Sequence, residues 1–336
     1  MKKEITVLSL FDGMSCGRIA LERAGIKVKK YYASEIDKYA QIVSAANYPD
    51  IIRLGDITQW KEWKIEKPDL IIGGSPCQGF SFAGKGLNFN DPRSKLFFTF
   101  VDILKHYKPK YFLLENVKMK KEYQAVITGC LGVEPIEINS ALVSAQNRKR
   151  LYWTNIPGVT QPDDKGILLK DIIEDAAFIN DRGKIIRQIE KSNCIDANYY
   201  KGKDNHGQRT LILVGHAENI KGHGYNKRVY SPEGKSPSLA AASGGNLEPK
   251  IAIKEEFYKS RPARVFTKKS PTIRKGGLDI TNNGGTAWRK LTPLECERLQ
   301  TVPDNYTNHV SNSQRYKMLG NGWTVDVIAH IFRGLK

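Results

Sequence analysis

The stretch from Leu70 to Cys77 constrains the fold of this chain more than any other. It reads LIIGGSPC, an apolar run that two glycines interrupt and a Pro-Cys pair follows. A short continuous apolar run favours a buried parallel strand, and open α/β sheets bind ligands at the carboxyl edge of such strands. Pro76 fixes its own φ and keeps Ser75 extended. We therefore predict that a stiff turn presents Cys77 at this edge.

Two later segments bring polar groups to the same edge. Residues 111–117 (YFLLENV) form a second apolar run that ends in a polar group, which places Glu115 beside Cys77. In residues 146–153 (QNRKRLYW), Arg148 and Arg150 are two apart in an extended segment, so both point to one face. Buried cores do not require such groups at strand ends. The three groups are expected to share one crevice, and residues 80–90 (FSFAGKGLNFN) to form a loop that closes over it.

The N-terminal segment predicts a nucleoside site. Residues 5–10 form an apolar strand, residues 11–17 (FDGMSCG) a glycine turn, and the apolar residues at 19, 20 and 24 favour a helix. A second strand, residues 31–37, carries Glu35 about twenty residues after the turn, where an acidic side chain binds ribose hydroxyls. The turn lacks the Gly-x-Gly-x-x-Gly pattern, which favours a nucleoside-type cofactor over a dinucleotide.

Asp56, in the GDIT sequence after a third short strand, is compatible with two roles. It accepts a hydrogen bond from an adenine amino group, or it caps a turn or helix. Strand and helix patterns alternate up to about residue 156, with a helix at residues 96–106. This alternation predicts a doubly wound sheet.

The formal net charge is +18, and most of the excess lies in the second half of the chain. Residues 182–290 carry 22 lysines and arginines against 9 aspartates and glutamates, with short β-like pieces at 210–214 and 251–253. Such a segment suits a polyanion, because each cation placed at a phosphate releases condensed counterions. A basic solvated surface is the alternative. The 336 residues suffice for two domains, which we place at 1–164 plus 291–336 and at 165–290.

Composition also bears on compartment and metals. No stretch approaches the roughly 18 apolar residues that span a bilayer, and the N-terminus enters a strand without a signal-peptide pattern, so we expect a cytoplasmic protein. The five cysteines include no Cys-x-x-Cys pair, which predicts neither disulfides nor a zinc site. His206, His216 and His223 lie among glycines, a pattern that does not predict a metal site.

The last segment returns to regular structure. Thr292 and Pro293 followed by Glu295 form a capping box that starts a helix. Residues 318–325 (MLGNGWTV) predict a glycine turn before a helix that continues through Ile331. This turn is expected to pack back on the first domain.

In their order and in their residues, these segments resemble the motifs of the DNA cytosine-5 methyltransferases of bacteria and phages. The resemblance covers nearly the whole chain apart from the basic middle. It implies an α/β fold: a Rossmann-like, doubly wound mixed sheet of the class I S-adenosylmethionine-dependent methyltransferases, with a smaller, mainly irregular and β target-recognition domain. The chain departs from many bacterial members at Ser15-Cys16-Gly17, where paired glycines are usual, and at Trp323, where a smaller residue is usual. The motifs that carry the resemblance are FDGMSCG, GDIT, GGSPCQGFS, DPRSKLFF, LLENV, QNRKRLYW, RKLTPLECERLQTVP and LGNGWTV.

The matching motifs imply roles for individual residues. Cys77 matches the nucleophile and Glu115 the acid at the base. Arg148 and Arg150 match the active-site arginines, with Arg148 at the O2 side of the base. No metal is implied. The implied S-adenosylmethionine contacts are Phe11, Asp12, Gly13, Gly17, Glu35, Ile36, Asp56, Ile57, Pro76, Asn321 and Trp323, and the residues implied at the loop and the DNA are Gln78, Ser81 and Arg93.

The resemblance implies transfer of a methyl group from S-adenosylmethionine to carbon 5 of a flipped-out cytosine in a short sequence of duplex DNA, with S-adenosylhomocysteine as product. Carbon 5 is too weak a nucleophile to attack a sulfonium methyl, so a nucleophile must first add at carbon 6, and a cysteine suits that step. The base must leave the duplex for this chemistry. We expect a monomer with duplex DNA as its partner, a restriction endonuclease as a functional but not physical companion, and no membrane.

Two other functions remain open at this point. A methyltransferase of the same kind could act on RNA, as one branch of the family does on transfer RNA, although the long basic segment suits a duplex reader better. A catalytically silent DNA-binding homologue is the second alternative, and the presence of Cys77, Glu115 and Arg148 argues against it.

Overall fold

A computed structural model describes residues 4–76, 92–173, 213–216, 228–230, 236–237, 250–253 and 287–335. Of the predicted site, Cys77, Gln78, Ser81 and the loop at 80–90 lie outside the described residues, and so do His206 and His223. Arg93 lies in the first turn of a helix.

A seven-stranded mixed sheet forms the centre of the fold, in the order β3-β2-β1-β4-β5-β8-β6. The first five of these strands in this order are parallel, and β8 runs antiparallel to both of its neighbours. This arrangement confirms the expected α/β class with a mixed, doubly wound sheet. The strands are β1 (Ile5–Leu10), β2 (Val28–Ser34), β3 (Ile52–Gly55), β4 (Leu70–Gly73), β5 (Tyr111–Val117), β6 (Pro135–Asn139), β7 (Gln146–Asn147) and β8 (Lys149–Thr154).

Seven α-helices flank this sheet or follow it in the described part of the chain. The predicted helix at 96–106 is confirmed and begins earlier, at Pro92. Three short 3-10 helices occupy Ile57–Glu62, Ser140–Leu142 and Leu169–Asp171. The helices are α1 (Cys16–Arg23), α2 (Lys38–Asn47), α3 (Pro92–Tyr107), α4 (Lys121–Leu131), α5 (Pro293–Leu299), α6 (Asn312–Asn321) and α7 (Val325–Phe332).

Two apolar cores lie on opposite faces of the sheet, because successive side chains of a strand alternate between its faces. In β4, Ile72 packs into the core that holds α1 and α7, and Ile71 packs into the core that holds α3 and α4. Both side chains are fully buried. A continuous apolar run at 70–72 therefore follows from burial on both faces, as the sequence indicated.

The C-terminal segment packs against the N-terminal one, as expected. Helix α7 lies against α1, and Arg23 Nη1 lies 2.6 Å from Asp326 Oδ1. The predicted capping box is confirmed: Thr292 N–H donates to Glu295 Oε2 at 2.8 Å, and Glu295 N–H donates to Thr292 Oγ1 at 3.2 Å. These contacts bring segments from the two sides of the basic middle into one unit.

Two details of the sequence prediction are wrong. Gly55 was placed after the third strand, but it belongs to β3 and pairs with Ser34 of β2. The closing turn does not begin at Met318: the Gly322 N–H donates to the Met318 carbonyl at 2.8 Å, so helix α6 continues to Asn321. The sequence alone does not show where α6 ends. Glycine and asparagine, present here as Gly320 and Asn321, occur both in last helical turns and in loops.

A second, four-stranded sheet lies within the basic middle of the chain, in the order β13-β12-β10-β9. The predicted β-like piece at 251–253 is confirmed, and residues 210–212 of the other piece lie outside the described residues. Its strands are β9 (Leu213–His216), β10 (Arg228–Tyr230), β12 (Lys250–Ile253) and β13 (Ala287–Lys290), while β11 (Ser236–Pro237) pairs with β7.

Within the described residues, no helix combines the length and the apolar character that crossing a membrane requires. The same residues contain no cluster of three or more histidine, cysteine or acidic side chains arranged to hold a metal ion.

Candidate active site

The site is built at the carboxyl ends of the parallel strands. Strands β1, β2, β4 and β5 run in the same direction, so the segments that follow them meet at one edge of the sheet. The turn after β1 meets Glu35 there, and the Gly74 to Pro76 segment after β4 meets Glu115. These contacts place the segment that leads to Cys77 beside Glu115, while Cys77 itself lies outside the described residues.

The turn after β1 has an unusual backbone. Phe11, Gly13 and Ser15 all adopt left-handed conformations, with φ of 58°, 59° and 65°. Non-glycine residues rarely occupy this region, and those that do occur often at functional sites. The space around Gly13 is open, with no atom within 4 Å of a hypothetical Cβ. The turn therefore offers accessible backbone at the edge where a cofactor is expected.

Asp12 lies at the base of this turn. Its carboxylate accepts hydrogen bonds from the Ser15 hydroxyl at 2.6 Å and from the Tyr31 hydroxyl at 2.8 Å. Burial, offset in part by these bonds and reinforced by the nearby charge of Glu35, raises the pKa of Asp12 to about 6. Burial likewise raises the pKa of the neighbouring Cys16 thiol to about 12, so this thiol is not a nucleophile near neutrality.

Glu35 is held entirely by backbone. Its Oε2 accepts from Gly13 N–H at 2.8 Å, and its Oε1 accepts from Ile36 N–H at 2.8 Å and from Asp37 N–H at 2.7 Å. The side chain of Ile36 is 74% exposed. A carboxylate fixed in orientation beside an exposed aliphatic side chain suits a ribose and an adenine face, so these residues fit S-adenosylmethionine.

Asp56 caps the 3-10 helix that follows it. Its Oδ1 accepts from Thr58 N–H at 2.8 Å, which is the capping role that the sequence left open. Ile57 is buried beneath it. The capping bond leaves the second carboxylate oxygen for an adenine amino group, so both roles are compatible.

Gly17 is required by close packing. A Cβ at this position would lie 2.4 Å from Ile72 Cδ1 and 2.9 Å from the Tyr31 hydroxyl, distances that real Cβ atoms do not show. The predicted role of Gly17 as a cofactor contact is thus accompanied by a structural role, since no side chain fits between α1 and β4.

Glu115 is held by side chains from two distant segments. Arg150 Nε lies 3.1 Å from Glu115 Oε1, without the alignment of a hydrogen bond, and the Trp323 indole N–H donates to Glu115 Oε2 at 3.1 Å. The Glu115 and Arg150 side chains are about nine-tenths buried. Glu115 lies within β5, which continues to Val117, and not at the end of the strand as expected.

The two arginines have different surroundings. Arg148 Nη2 donates to the carbonyl oxygens of Gly320 and Gly322, at 3.2 Å each. Arg148 lies between β7 and β8 and not within a strand, because its N–H donates to the Asn139 side chain. Arg150 therefore accompanies Glu115, while Arg148 fixes the closing turn that carries Trp323. Asn321 is the last residue of α6 and is exposed.

A side-chain amide holds the segment that leads to Cys77. Asn116 Nδ2 donates to the Ser75 carbonyl at 3.4 Å and lies 3.5 Å from the Ser75 hydroxyl. Pro76 is exposed at the end of this segment. This contact ties the approach to Cys77 to the strand that carries Glu115.

Comparison with protein families decides the identity of the chain. The model of the C-5 cytosine-specific DNA methylases matches residues 5–125 and 139–336. The chain belongs to this family. It is a DNA cytosine-5 methyltransferase, as the sequence motifs indicated, and S-adenosylmethionine is the methyl donor of this family.

Individual relatives cover nearly the whole methylase. The type II methyltransferase M.HhaI of Haemophilus parahaemolyticus is 30% identical over 96% of this chain and 92% of its own length. The orphan methyltransferase M.Rho11sI of Bacillus phage rho11s is 26% identical, over 99% and 98%. Among solved structures, Entamoeba histolytica methyltransferase EhMeth has a TM-score of 0.61 at 17% identity, with 99% of both chains covered, which supports the fold.

Three contacts in the methylase were missed by reasoning from sequence. They are the Tyr31 hydroxyl on Asp12, the Asn116 amide on Ser75, and the Trp323 indole on Glu115. The first two had a signal, since Tyr31 and Asn116 place a hydroxyl and an amide within predicted strands. The third had none, because Trp323 and Glu115 are 208 residues apart.

Proposed function

We propose that the methylase transfers a methyl group to carbon 5 of a cytosine flipped out of duplex DNA, within a short specific sequence, through a covalent adduct of Cys77 at carbon 6. The observation that carries this proposal is the position of Glu115, between Arg150 and Trp323 and next to the segment that leads to Cys77. A carboxyl and a guanidinium in one largely buried place provide an acid and a cation for a polar ring.

Each residue has one task in this proposal. The Cys77 thiolate adds to carbon 6, and the electron pair that moves to carbon 5 makes that carbon nucleophilic. Protonated Glu115 donates to ring nitrogen 3 and relieves the negative charge that develops. Arg150 lies beside the same carboxyl and suits the O2 side of the ring, which the sequence assigned to Arg148. Once carbon 5 has taken the methyl group, loss of its proton to solvent and expulsion of Cys77 as a thiolate restore the aromatic ring.

S-adenosylmethionine supplies the methyl group as a sulfonium. We propose that Glu35 holds its ribose hydroxyls and that Ile36 packs on its adenine. Asp56 is assigned to the adenine amino group, and the turn at Phe11 to Gly13 to the approach of the backbone. The backbone-held carboxylate and the open space at Gly13 support these assignments. No metal takes part in the proposed reaction.

We propose that the basic segment reads the DNA sequence. Its lysines and arginines suit phosphates, and a few polar side chains suit base edges. The boundary proposed from sequence, at 165, is better drawn after residue 173, since Leu169, Ile172 and Ile173 are buried in the same core as α1 and α7. We further propose a monomer in the bacterial cytoplasm, with a restriction endonuclease as a functional companion.

The test is transfer of radiolabelled methyl groups from S-adenosylmethionine to unmethylated phage DNA, followed by bisulfite sequencing. We expect methylation at one short motif, and no turnover in a Cys77→Ala variant that still binds a duplex containing the motif. A duplex with 5-fluorocytosine at the target is expected to trap the wild-type chain covalently, but not this variant. Transfer to transfer RNA but not to DNA, or no transfer at all, would overturn the proposal.

A further inference from the structure

The closing turn places an indole against the proposed catalytic acid. The Trp323 N–H donates to Glu115 Oε2 at 3.1 Å, and a Cβ at Gly74 would lie 3.0 Å from this nitrogen and 3.1 Å from the same carboxylate oxygen. The backbone of Gly74 therefore packs directly on the pair. A side chain at this position would have to displace the indole or the carboxylate by a few tenths of an ångström.

The two oxygens of Glu115 are held differently. Oε2 accepts an aligned hydrogen bond from the indole, whereas Arg150 Nε lies 3.1 Å from Oε1 without hydrogen-bond alignment. A hydrogen bond to a carboxylate is directional and fixes the plane of the group, while an ion pair without alignment leaves it free to turn. Trp323 thus determines which oxygen remains for a substrate.

Trp323 itself is anchored at the cofactor side. Its ring atom Cζ3 lies 3.6 Å from the Cβ position of Gly17. The preceding Gly322 carbonyl accepts from Arg148. The indole is therefore fixed at its backbone, along its ring edge and at its N–H, which is the condition for a side chain that orients another.

From these contacts we infer that Trp323 is a positioning residue for Glu115: its indole N–H holds Oε2 and directs Oε1 toward nitrogen 3 of the target cytosine. This inference rests on the proposed function and adds to it. Glu115 makes the contact with the base, and Trp323 acts only through Glu115.

The principal test is Trp323→Phe, which keeps an aromatic ring and removes the N–H. Single-turnover methyl transfer is measured at saturating S-adenosylmethionine, on a duplex that contains the motif found by bisulfite sequencing. Negative charge develops on the Glu115 carboxyl as it gives up its proton, and loss of a hydrogen bond to that charge is expected to lower the rate about tenfold to a hundredfold. The dissociation constant of S-adenosylhomocysteine is measured separately, and we expect it to change less than about threefold.

The matched control is Trp63→Phe. Within the described residues, the Trp63 indole nitrogen is buried without a hydrogen-bond partner, so this change removes an N–H that holds nothing. Its rate of methyl transfer is expected to equal that of the wild type. Gly74→Ala is the second variant: its methyl group would press on both atoms of the pair, and it is expected to lower the rate as Trp323→Phe does.

A double-mutant cycle separates positioning from a general structural effect. In a Glu115→Ala background the indole has no carboxylate to hold, so Trp323→Phe is expected to lower the residual rate less than twofold. An equal loss in both backgrounds would overturn the inference, and so would an unchanged rate in Trp323→Phe. If the wild-type chain itself transfers no methyl group to DNA, the proposed function fails; if it is active and the cycle is additive, only the role of Trp323 fails.

Discussion

Two carboxylates at the same sheet edge, Glu35 and Glu115, are held in opposite ways. Glu35 accepts three backbone N–H groups, from residues at most 22 positions away. Glu115 is held by the side chains of Arg150 and Trp323, which lie on other elements and up to 208 positions away. The orientation of Glu35 is thus set by one turn and one strand end. The orientation of Glu115 depends on the assembly of three segments.

This difference suits the two tasks proposed for these residues, cofactor binding by Glu35 and proton donation by Glu115. Backbone donors give Glu35 a fixed orientation in the free protein, which binding a cofactor requires. The surroundings of Glu115 come from other segments: the indole fixes one carboxylate oxygen, while the unaligned Arg150 leaves the other in surroundings that a substrate can change. The predictions below test whether substitutions at Glu35 and at Glu115 differ in their effects on cofactor affinity and on the rate of methyl transfer.

The largest effect is expected for Glu115→Gln. The amide cannot donate an acidic proton to the base, so kcat is expected to fall by a factor of about 100 to 10 000. The affinity for S-adenosylhomocysteine, measured by calorimetry, is expected to stay within twofold. Glu122→Gln, at an exposed glutamate of α4, serves as the control. A loss of cofactor affinity in Glu115→Gln would remove the distinction between the two carboxylates.

Glu35→Gln is expected to have the complementary effect. An amide group would turn its own N–H donors toward a backbone N–H, leaving a donor unpaired and weakening the ribose contact. The dissociation constant for S-adenosylhomocysteine should rise about tenfold to a hundredfold, with kcat at saturating cofactor within about twofold. Glu66→Gln, an exposed glutamate paired with Lys29 and Lys30, is the control. Unchanged affinity would contradict the ribose assignment.

Asp12→Asn tests the turn that contacts Glu35, through the pH dependence of the free energy of unfolding. Because burial raises the pKa of Asp12 to about 6, the folded state binds more protons than the unfolded state between about pH 4 and pH 6, so the free energy of unfolding of the wild type falls over this window. The variant lacks this fall. Urea unfolding at pH 4.5 and pH 7.5 should therefore show the variant gaining about 1–3 kcal/mol relative to the wild type as pH rises. Parallel pH dependences would contradict the assignment.

The smallest effect is expected at the contact between the first and last helices. Arg23→Gln removes an ion pair with Asp326, and both side chains are partly exposed. The free energy of unfolding is expected to fall by only about 0.2–1 kcal/mol, and less at high salt. The rate of methyl transfer is expected to remain unchanged. A large loss of activity would indicate that the position of Glu115 depends on this surface contact and not on the packing of α1 against α7.

The sequence predicted the position of Glu35 better than the surroundings of Glu115 and the two arginines. A strand followed by a carboxylate identifies Glu35, since the local chain itself supplies its partners. The surroundings of the arginines could not be read in this way. The two-residue spacing of Arg148 and Arg150 implied one face of a strand, but the Asn139 side chain binds the Arg148 backbone and breaks the ladder there. Such a bond between separate elements leaves no mark in local spacing.

For the fold too, features set by the local sequence were predicted better than contacts between distant segments. Apolar runs predicted the strands, because a strand buried on both faces must be apolar throughout. The end of α6 was misplaced since glycine and asparagine occur both in last helical turns and in loops. The closing role of the C-terminal segment was expected, but not which atoms it contacts.

The bonds from Arg148 to the Gly320 and Gly322 carbonyls have a consequence for the synthesis of the enzyme. A ribosome delivers the strands with Cys77 and Glu115 long before it delivers the turn that holds Trp323. A nascent chain, or one cut by a protease within the basic segment, thus carries the reactive groups without the partners that orient them. We therefore expect fragments that lack the C-terminal segment to be inactive until that segment joins them.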